Sequence, residues 1–203
     1  MIGIIDYGCG NVSSIQNMFS RIGIWSETVA DPLNIDHFDS IVLPGVGAFD
    51  TGVNKLKETG FWNAIKIFVE HEKKPILGIC LGMQLFFEKS QEGKEYGFSW
   101  LPGELKKFVP GDSIRVPHIG WEPLMNTSKS LFCNNDNEFY FVHAYHAPTD
   151  LEEKFVIATG NYGVKFPAAV KKDNVIGFQF HPEKSLNSGK ELLRRWHQNV
   201  TKK

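Results

Sequence analysis

The chain has 203 residues, 42% of them hydrophobic, and sets 22 Lys and Arg against 23 Asp and Glu for a formal net charge of -1. That length suffices for one sizeable core and forces no second domain, so one domain over residues 1–203 is expected, while the balanced charge gives no electrostatic footprint for nucleic acid or an anionic membrane. Three cysteines, Cys9, Cys80 and Cys133, form no CxxC pair and fit a reducing compartment better than a disulfide framework; no apolar run reaches membrane-spanning length, so a cytoplasmic protein is expected.

Residues 2–5 read as a strand rather than a signal peptide, because the apolar run meets Asp6 almost at once. It stops at Asp6-Tyr7-Gly8-Cys9-Gly10-Asn11 and feeds a helix over 13–21, where Ile15, Met18, Phe19 and Ile22 recur at helical spacing. Gly8-Cys9-Gly10 is part of a dinucleotide fingerprint, but Ser13 occupies the place of its third glycine. Residues 25–29 and 40–43 give second and third strands. The third runs into PGVGAFD (44–50), whose two glycines permit N–H groups to turn toward a ligand. Ordinary β-to-α turn geometry would need them equally. Helices over 51–56 and 61–70, parted at Gly60, lead back to a strand at 75–77.

The most informative stretch is KKPILGICLGMQLFFE (73–88), a short apolar strand, a sharp turn at Gly78-Ile79-Cys80-Leu81-Gly82, and the first turns of a helix from Met83. This is a nucleophile elbow with cysteine in the serine position. Glycines two before and two after Cys80 suit a turn in which a Cβ would collide with the neighbouring backbone, and a helix N-terminus favours thiolate over thiol. A lone cysteine in an apolar run is also a common core residue; the flanking glycines favour the elbow. In an elbow the N–H of the following residue, Leu81, supplies one oxyanion donor, and a neighbouring strand-to-helix loop supplies the other. The loop at 44–50, with Val46 and Gly47, is the candidate.

Beyond the elbow the chain is richer in turns and aromatics, with Asp136-Asn137 among the turn pairs. Strands at 104–109, 138–142, 156–159 and 168–171 without long helices between them predict an antiparallel extension of the sheet. The last motif, VIGFQFHPEK (175–184), is a strand ending in His181, with Glu183 two residues on and Pro182 fixing the bend between them. A thiol near its free pKa needs a base, and the base needs a group to hold its tautomer. Cys80, His181 and Glu183 supply the three roles. His181 read alone would be a strand-end imidazole satisfied by backbone. The alternation of strands and helices predicts an α/β fold with a mostly parallel central sheet and helices on both faces.

Taken together, PGVGAFD (44–50), GICLGMQ (78–84), VPHIGW (116–121), FYFVHAYHA (139–147) and QFHPEKS (179–185) resemble the triad-type class I glutamine amidotransferases, across nearly the whole chain. Within that family they are most similar to glutaminase subunits of imidazole glycerol phosphate synthase. The resemblance implies a flavodoxin-like fold that hydrolyses L-glutamine to glutamate and ammonia through a Cys80 thioester, with no metal or cofactor. By the same correspondence Gln84 and Glu92 bind the α-amino end of glutamine, although the family's acidic pair reads Ser90-Gln91-Glu92 here. The implied partner is a (β/α)8 barrel cyclase in a heterodimer, met by Trp121 and Lys184; Trp121 could also be a half-buried core indole. Glu122 departs from the family's asparagine after GW, and HAYHA (143–147) departs from its serine-and-tyrosine version. Three readings follow: the histidine-pathway glutaminase, a paralogous ammonia donor for a surface-sugar amidine synthase, and a non-catalytic flavodoxin-like binding module.

Overall fold

Short apolar segments build the centre of the fold. In the computed structural model, which describes all residues except 112–113, 126, 129, 133–137 and 202–203, β1 (Ile2–Ile5), β2 (Ser26–Val29), β3 (Ser40–Leu43) and β4 (Ile76–Ile79) pair in parallel in the order β4-β3-β1-β2. Cys133 and Asp136-Asn137 lie outside the described residues. The later strands are β5 (Lys89–Ser90), β6 (Glu104–Lys107), β7 (His118–Pro123), β8 (Glu138–His143), β9 (Tyr145–His146), β10 (Val156–Asn161), β11 (Lys165–Lys172) and β12 (Val175–Phe178). β12 runs parallel to β4 on its free side, and β11 and β10 continue the sheet antiparallel, giving seven strands in the order β10-β11-β12-β4-β3-β1-β2.

Every residue of β1, β3, β4 and β12 is buried, as expected for strands covered on both faces. Their side chains divide by alternation. Ile41, Leu43 and Ile76 join one core with α2 (Phe49–Glu58) and α3 (Phe61–Lys66), after α1 (Val12–Arg21) in the chain. Ile2, Ile4, Val42, Leu77 and Ile79 face the other, with α1 and the C-terminal helix. After the one-turn α4 (Leu81–Gln84), that last helix is α5 (Leu186–Thr201), which buries Leu192, Leu193 and Trp196.

Several expectations are corrected. The helix expected over 61–70 is α-helical only to Lys66 and widens into a π turn over Ile67–His71. The elbow helix is a single turn, because Phe86 and Phe87 bond Met83 and Gln84 carbonyls three residues back, and the chain turns off toward β5. Of the four late strands predicted to extend the sheet, only those at β10 and β11 do. β6 pairs with β5 and β9, and β8 pairs with β7 in a separate two-stranded ribbon. Strand periodicity identifies an extended segment but carries no information about its partner. Trp25 precedes β2 and is 73% exposed.

Candidate active site

Adjacent parallel strands β3, β4 and β12 deliver three loops to one edge of the sheet, the carboxyl end where open α/β sheets place their ligands. Cys80 is the first residue past β4 and takes φ 54° and ψ -110°, a left-handed conformation that costs a non-glycine residue about 1–3 kcal/mol. The surrounding backbone enforces it. Cys80 N–H donates to Phe178 O at 2.8 Å, and no Cβ could be added to either flanking glycine: at Gly82 it would lie 1.9 Å from Leu43 O, at Gly78 2.6 Å from Met83 N.

His181 follows β12 by three residues, and the chain then enters a 3-10 turn at Pro182–Lys184. That turn brings the Glu183 carboxylate back, so His181 Nδ1 donates to Glu183 Oε1 at 2.7 Å with both side chains buried. Ser185 Oγ fastens the segment by donating to His181 O at 2.6 Å and accepting from Tyr140 N–H at 3.0 Å. Burial alone would lower the His181 pKa, but hydrogen bonding and charge from Cys80 and Glu183 outweigh it and push it up to about 10. The ring therefore favours the imidazolium. Its Nε2 is buried without a hydrogen bond of regular geometry, which suits a free enzyme whose catalytic contacts tighten only around substrate.

A cavity of about 300 Å³ opens over these groups, lined by Cys80, Leu81, His181, Gln84 and Glu92, with Val46 and Gly47 at its lip. Larger clefts exist, of about 560 Å³ around Lys73 and Asn174 and about 460 Å³ around Leu151 and Lys165, but neither brings a nucleophile to a base. Gln84 is buried and donates through Nε2 to Tyr145 O and Gln179 Oε1, each at 3.0 Å. Its Oε1 is left to accept from a ligand ammonium. Glu92 Oε2 accepts from Phe49 N–H at 2.8 Å at the start of α2, and Asp50 accepts from the N–H groups of Lys94 and Glu95, which pins the loop carrying Glu92.

The oxyanion pocket expected from Leu81, Val46 and Gly47 is not open. Leu81 N–H donates to Gly45 O at 3.3 Å. A planar peptide turns its carbonyl and the following N–H in opposite directions, so while Gly45 O points in, Val46 N–H points out. Gly45 has to be glycine for this approach, since a Cβ there would stand 2.7 Å from Gly82 N.

Trp121 is not a core indole. It is 44% exposed, opposite Tyr140 in the β7–β8 ribbon and edge-on to its ring, with Lys184 Nζ 5.6 Å from the same ring. Ile119, 59% exposed, shares its face. Glu122 projects to the opposite face, where its carboxylate lies 3.7 Å from His118 Nε2. The histidines of HAYHA are buried, and both bond backbone carbonyls through Nδ1, His143 to Tyr145 O at 2.8 Å and His146 to Ala147 O at 2.7 Å. Burial pushes the His143 pKa down to about 3 and lowers that of His146. Sequence reasoning missed Gln179, Gly45 O and Asp50, although each lies inside a quoted motif.

A family profile described as glutamine amidotransferase class-I matches residues 3–199. Among similar proteins, an imidazole glycerol phosphate synthase subunit HisH from Carboxydothermus hydrogenoformans is 45% identical, covering 96% of this chain and 97% of its own. One of that name from Sulfurimonas denitrificans is 43% identical, with 97% of each chain covered. HisH 2 from Pseudomonas aeruginosa is 39% identical, over 97% of this chain and 98% of its own. Among solved structures, a glutamine amidotransferase aligns at TM-score 0.74 with 19% identity, and PurLQS from Thermotoga maritima at 0.70 with 17%, both covering 98% of each chain. At those identities they speak for the fold. Among the described residues no helix is long and apolar enough to cross a membrane.

Proposed function

The chain belongs to the class I glutamine amidotransferases, and from that premise we propose that it is the glutaminase subunit of an imidazole glycerol phosphate synthase, acting in the cytoplasm. The single observation that carries the chemistry is the Cys80 elbow facing a buried His181–Glu183 pair across a cavity that also holds Gln84 and Glu92. Cys80 Sγ attacks the side-chain amide carbon of L-glutamine while His181 holds the thiol proton. The tetrahedral oxyanion forms against Leu81 N–H and, once the loop has turned, the N–H of Val46 or Gly47. His181 then gives its proton to the departing nitrogen, which leaves as ammonia and a glutamyl thioester on Cys80. Water, deprotonated by His181, hydrolyses the thioester to glutamate and restores the thiol. Gln84 Oε1 and the Glu92 carboxylate hold the substrate ammonium.

Glu183 keeps the His181 proton on Nδ1 and supports its positive charge. For Glu183→Gln we expect kcat to fall about tenfold to a hundredfold, the worth of one charge-assisted hydrogen bond. The sign of the pH effect is fixed: Glu183 raises the His181 pKa, so removing its charge moves the basic limb of the kcat/KM profile to lower pH. A profile with an unmoved basic limb would count against this role.

The ammonia goes to a (β/α)8 barrel cyclase docked as a heterodimer on the ribbon. Ile119, Trp121 and Tyr140 with Lys184 make an apolar surface with a cationic rim, a composition suited to the centre of an interface. A paralogous ammonia donor for a sugar amidine synthase is the second reading, favoured by Glu122 in place of the family's asparagine. Since Glu122 turns toward His118 rather than the Trp121 face, the histidine pathway stands first. Co-purification with each barrel, followed by glutaminase assay with and without its substrate, tests this: stable association with the cyclase and stimulation by its substrate are expected. Association with the sugar synthase alone would overturn the assignment.

A further inference from the structure

Gln179 has no part in the steps above, yet it is fully buried two residues before His181. Its backbone is held at the end of β12, where Gln179 N–H donates to Ala168 O at 2.9 Å. Its side chain bridges two functional groups. Gln84 Nε2 donates to Gln179 Oε1 at 3.0 Å, and Gln179 Nε2 meets Cys80 Sγ at 3.8 Å.

The direction of this chain is set from its far end. Tyr145 O can only accept, and it takes bonds from His143 Nδ1 at 2.8 Å and Gln84 Nε2 at 3.0 Å. Gln84 must therefore turn its NH₂ group that way, and the second N–H of the same group reaches Gln179, which has to answer with oxygen. The Gln179 NH₂ group is then left facing the sulfur. Inverting the chain would press Gln84 Oε1 against Tyr145 O, two buried acceptors with no donor between them, which is costly.

We propose that Gln179 is a positioning residue for the nucleophile: its amide donates to Cys80 Sγ, holds the sulfur beside His181 and favours its anionic form. The same chain ties the sulfur to the substrate site. An ammonium bound at Gln84 Oε1 polarises the Gln84 amide, and each successive donor in a buried hydrogen-bonded chain is strengthened by the one before it. The proposal rests on Cys80 being the nucleophile, and it deepens that reading by naming the group that prepares the thiol.

The test is the rate of Cys80 alkylation by iodoacetamide across pH, located by peptide mapping, in the wild type, Gln179→Glu and Gln179→Met. Gln179→Glu keeps an oxygen for Gln84 but sets a second oxygen against the sulfur; Gln179→Met removes the donor at similar length. Both should alkylate about tenfold more slowly at pH 7, as expected for loss of one hydrogen bond to a charged acceptor, with the midpoint of the pH–rate curve moved to higher pH. If the Met variant does not fold cooperatively, the nearly isosteric Glu variant carries the result. A folded variant whose curve superimposes on the wild type overturns the proposal, as does a slower reaction with an unmoved midpoint, the mark of a packing role alone. A wild-type Cys80 that resists alkylation while Cys9 reacts would instead overturn the reading of Cys80 as nucleophile.

Discussion

Cys80→Ala should lower glutamine hydrolysis by about 10⁴-fold or more, since removing a nucleophile leaves only the catalysis that binding and fixed dipoles supply. The fold should survive. Alanine at φ 54° is no more strained than cysteine, and the loss is one sulfur from a residue 7% exposed, a change on the order of 1 kcal/mol. Chemical denaturation should show one cooperative transition close to the wild type's. A glutamine-mimicking electrophile should label Cys80 and spare Cys9 and Cys133. In complex with the barrel, Cys80→Ala should still permit product formation when ammonium salts are supplied, because only the source of ammonia is lost. Failure of that rescue would refute the division of labour between subunits; labelling at Cys9 would refute the elbow assignment.

The second large effect is expected at the loop after β3. Leu81 N–H is held by Gly45 O, with Val46 N–H turned away, and the lack of one oxyanion donor typically costs about 10²–10³ in rate. Rotating the Gly45–Val46 peptide would release Leu81 N–H and bring Val46 N–H inward in one movement. We expect a barrel with its substrate bound to shift the loop to that geometry, raising kcat by about 10²–10³ with a much smaller change in KM, because these donors act chiefly once the oxyanion exists. Trp121→Ala should weaken association and stimulation together and leave slow basal hydrolysis nearly unchanged. Stimulation confined to KM, or full activity in the isolated subunit, would contradict this account.

Much of this site is legible in the sequence because its constraints are local. The Gly78 and Gly82 pair marks a turn with no room for a Cβ, and His181-Pro182-Glu183 carries its own geometry in three residues. What is not legible is set by contacts across strands. Gln179 matters because β12 lies beside β4, which puts its amide next to a sulfur 99 positions away. The Gly45 carbonyl is an acceptor in every sequence; only the approach of β3 to the elbow gives it a donor. The same limit explains the strand errors. β6 and β8 have the alternation of sheet members, but whether they join the main sheet depends on tertiary pairing. α5 is missing from the expected elements, although Leu192, Leu193 and Trp196 recur at helical spacing and close the second face of the sheet.

The β7–β8 ribbon has a consequence for how such a protein can diverge. It is hydrogen-bonded as a pair of its own; His143 on its inner face lines the cavity, but Tyr140 and Val142 on its outer face reach the reaction centre through backbone: Tyr140 O accepts from His181 N–H at 2.9 Å, and Val142 O lies 3.7 Å from Cys80 Sγ. Main-chain contacts are indifferent to which side chains the ribbon carries. Substitutions at Ile119, Trp121 or Tyr140 can therefore accumulate and redirect the subunit to a different recipient of nitrogen, while the chemistry, housed at the ends of β4 and β12, is inherited unchanged. A lineage that duplicated this gene would find the outer surface of two strands open to selection and the thiol's surroundings already complete.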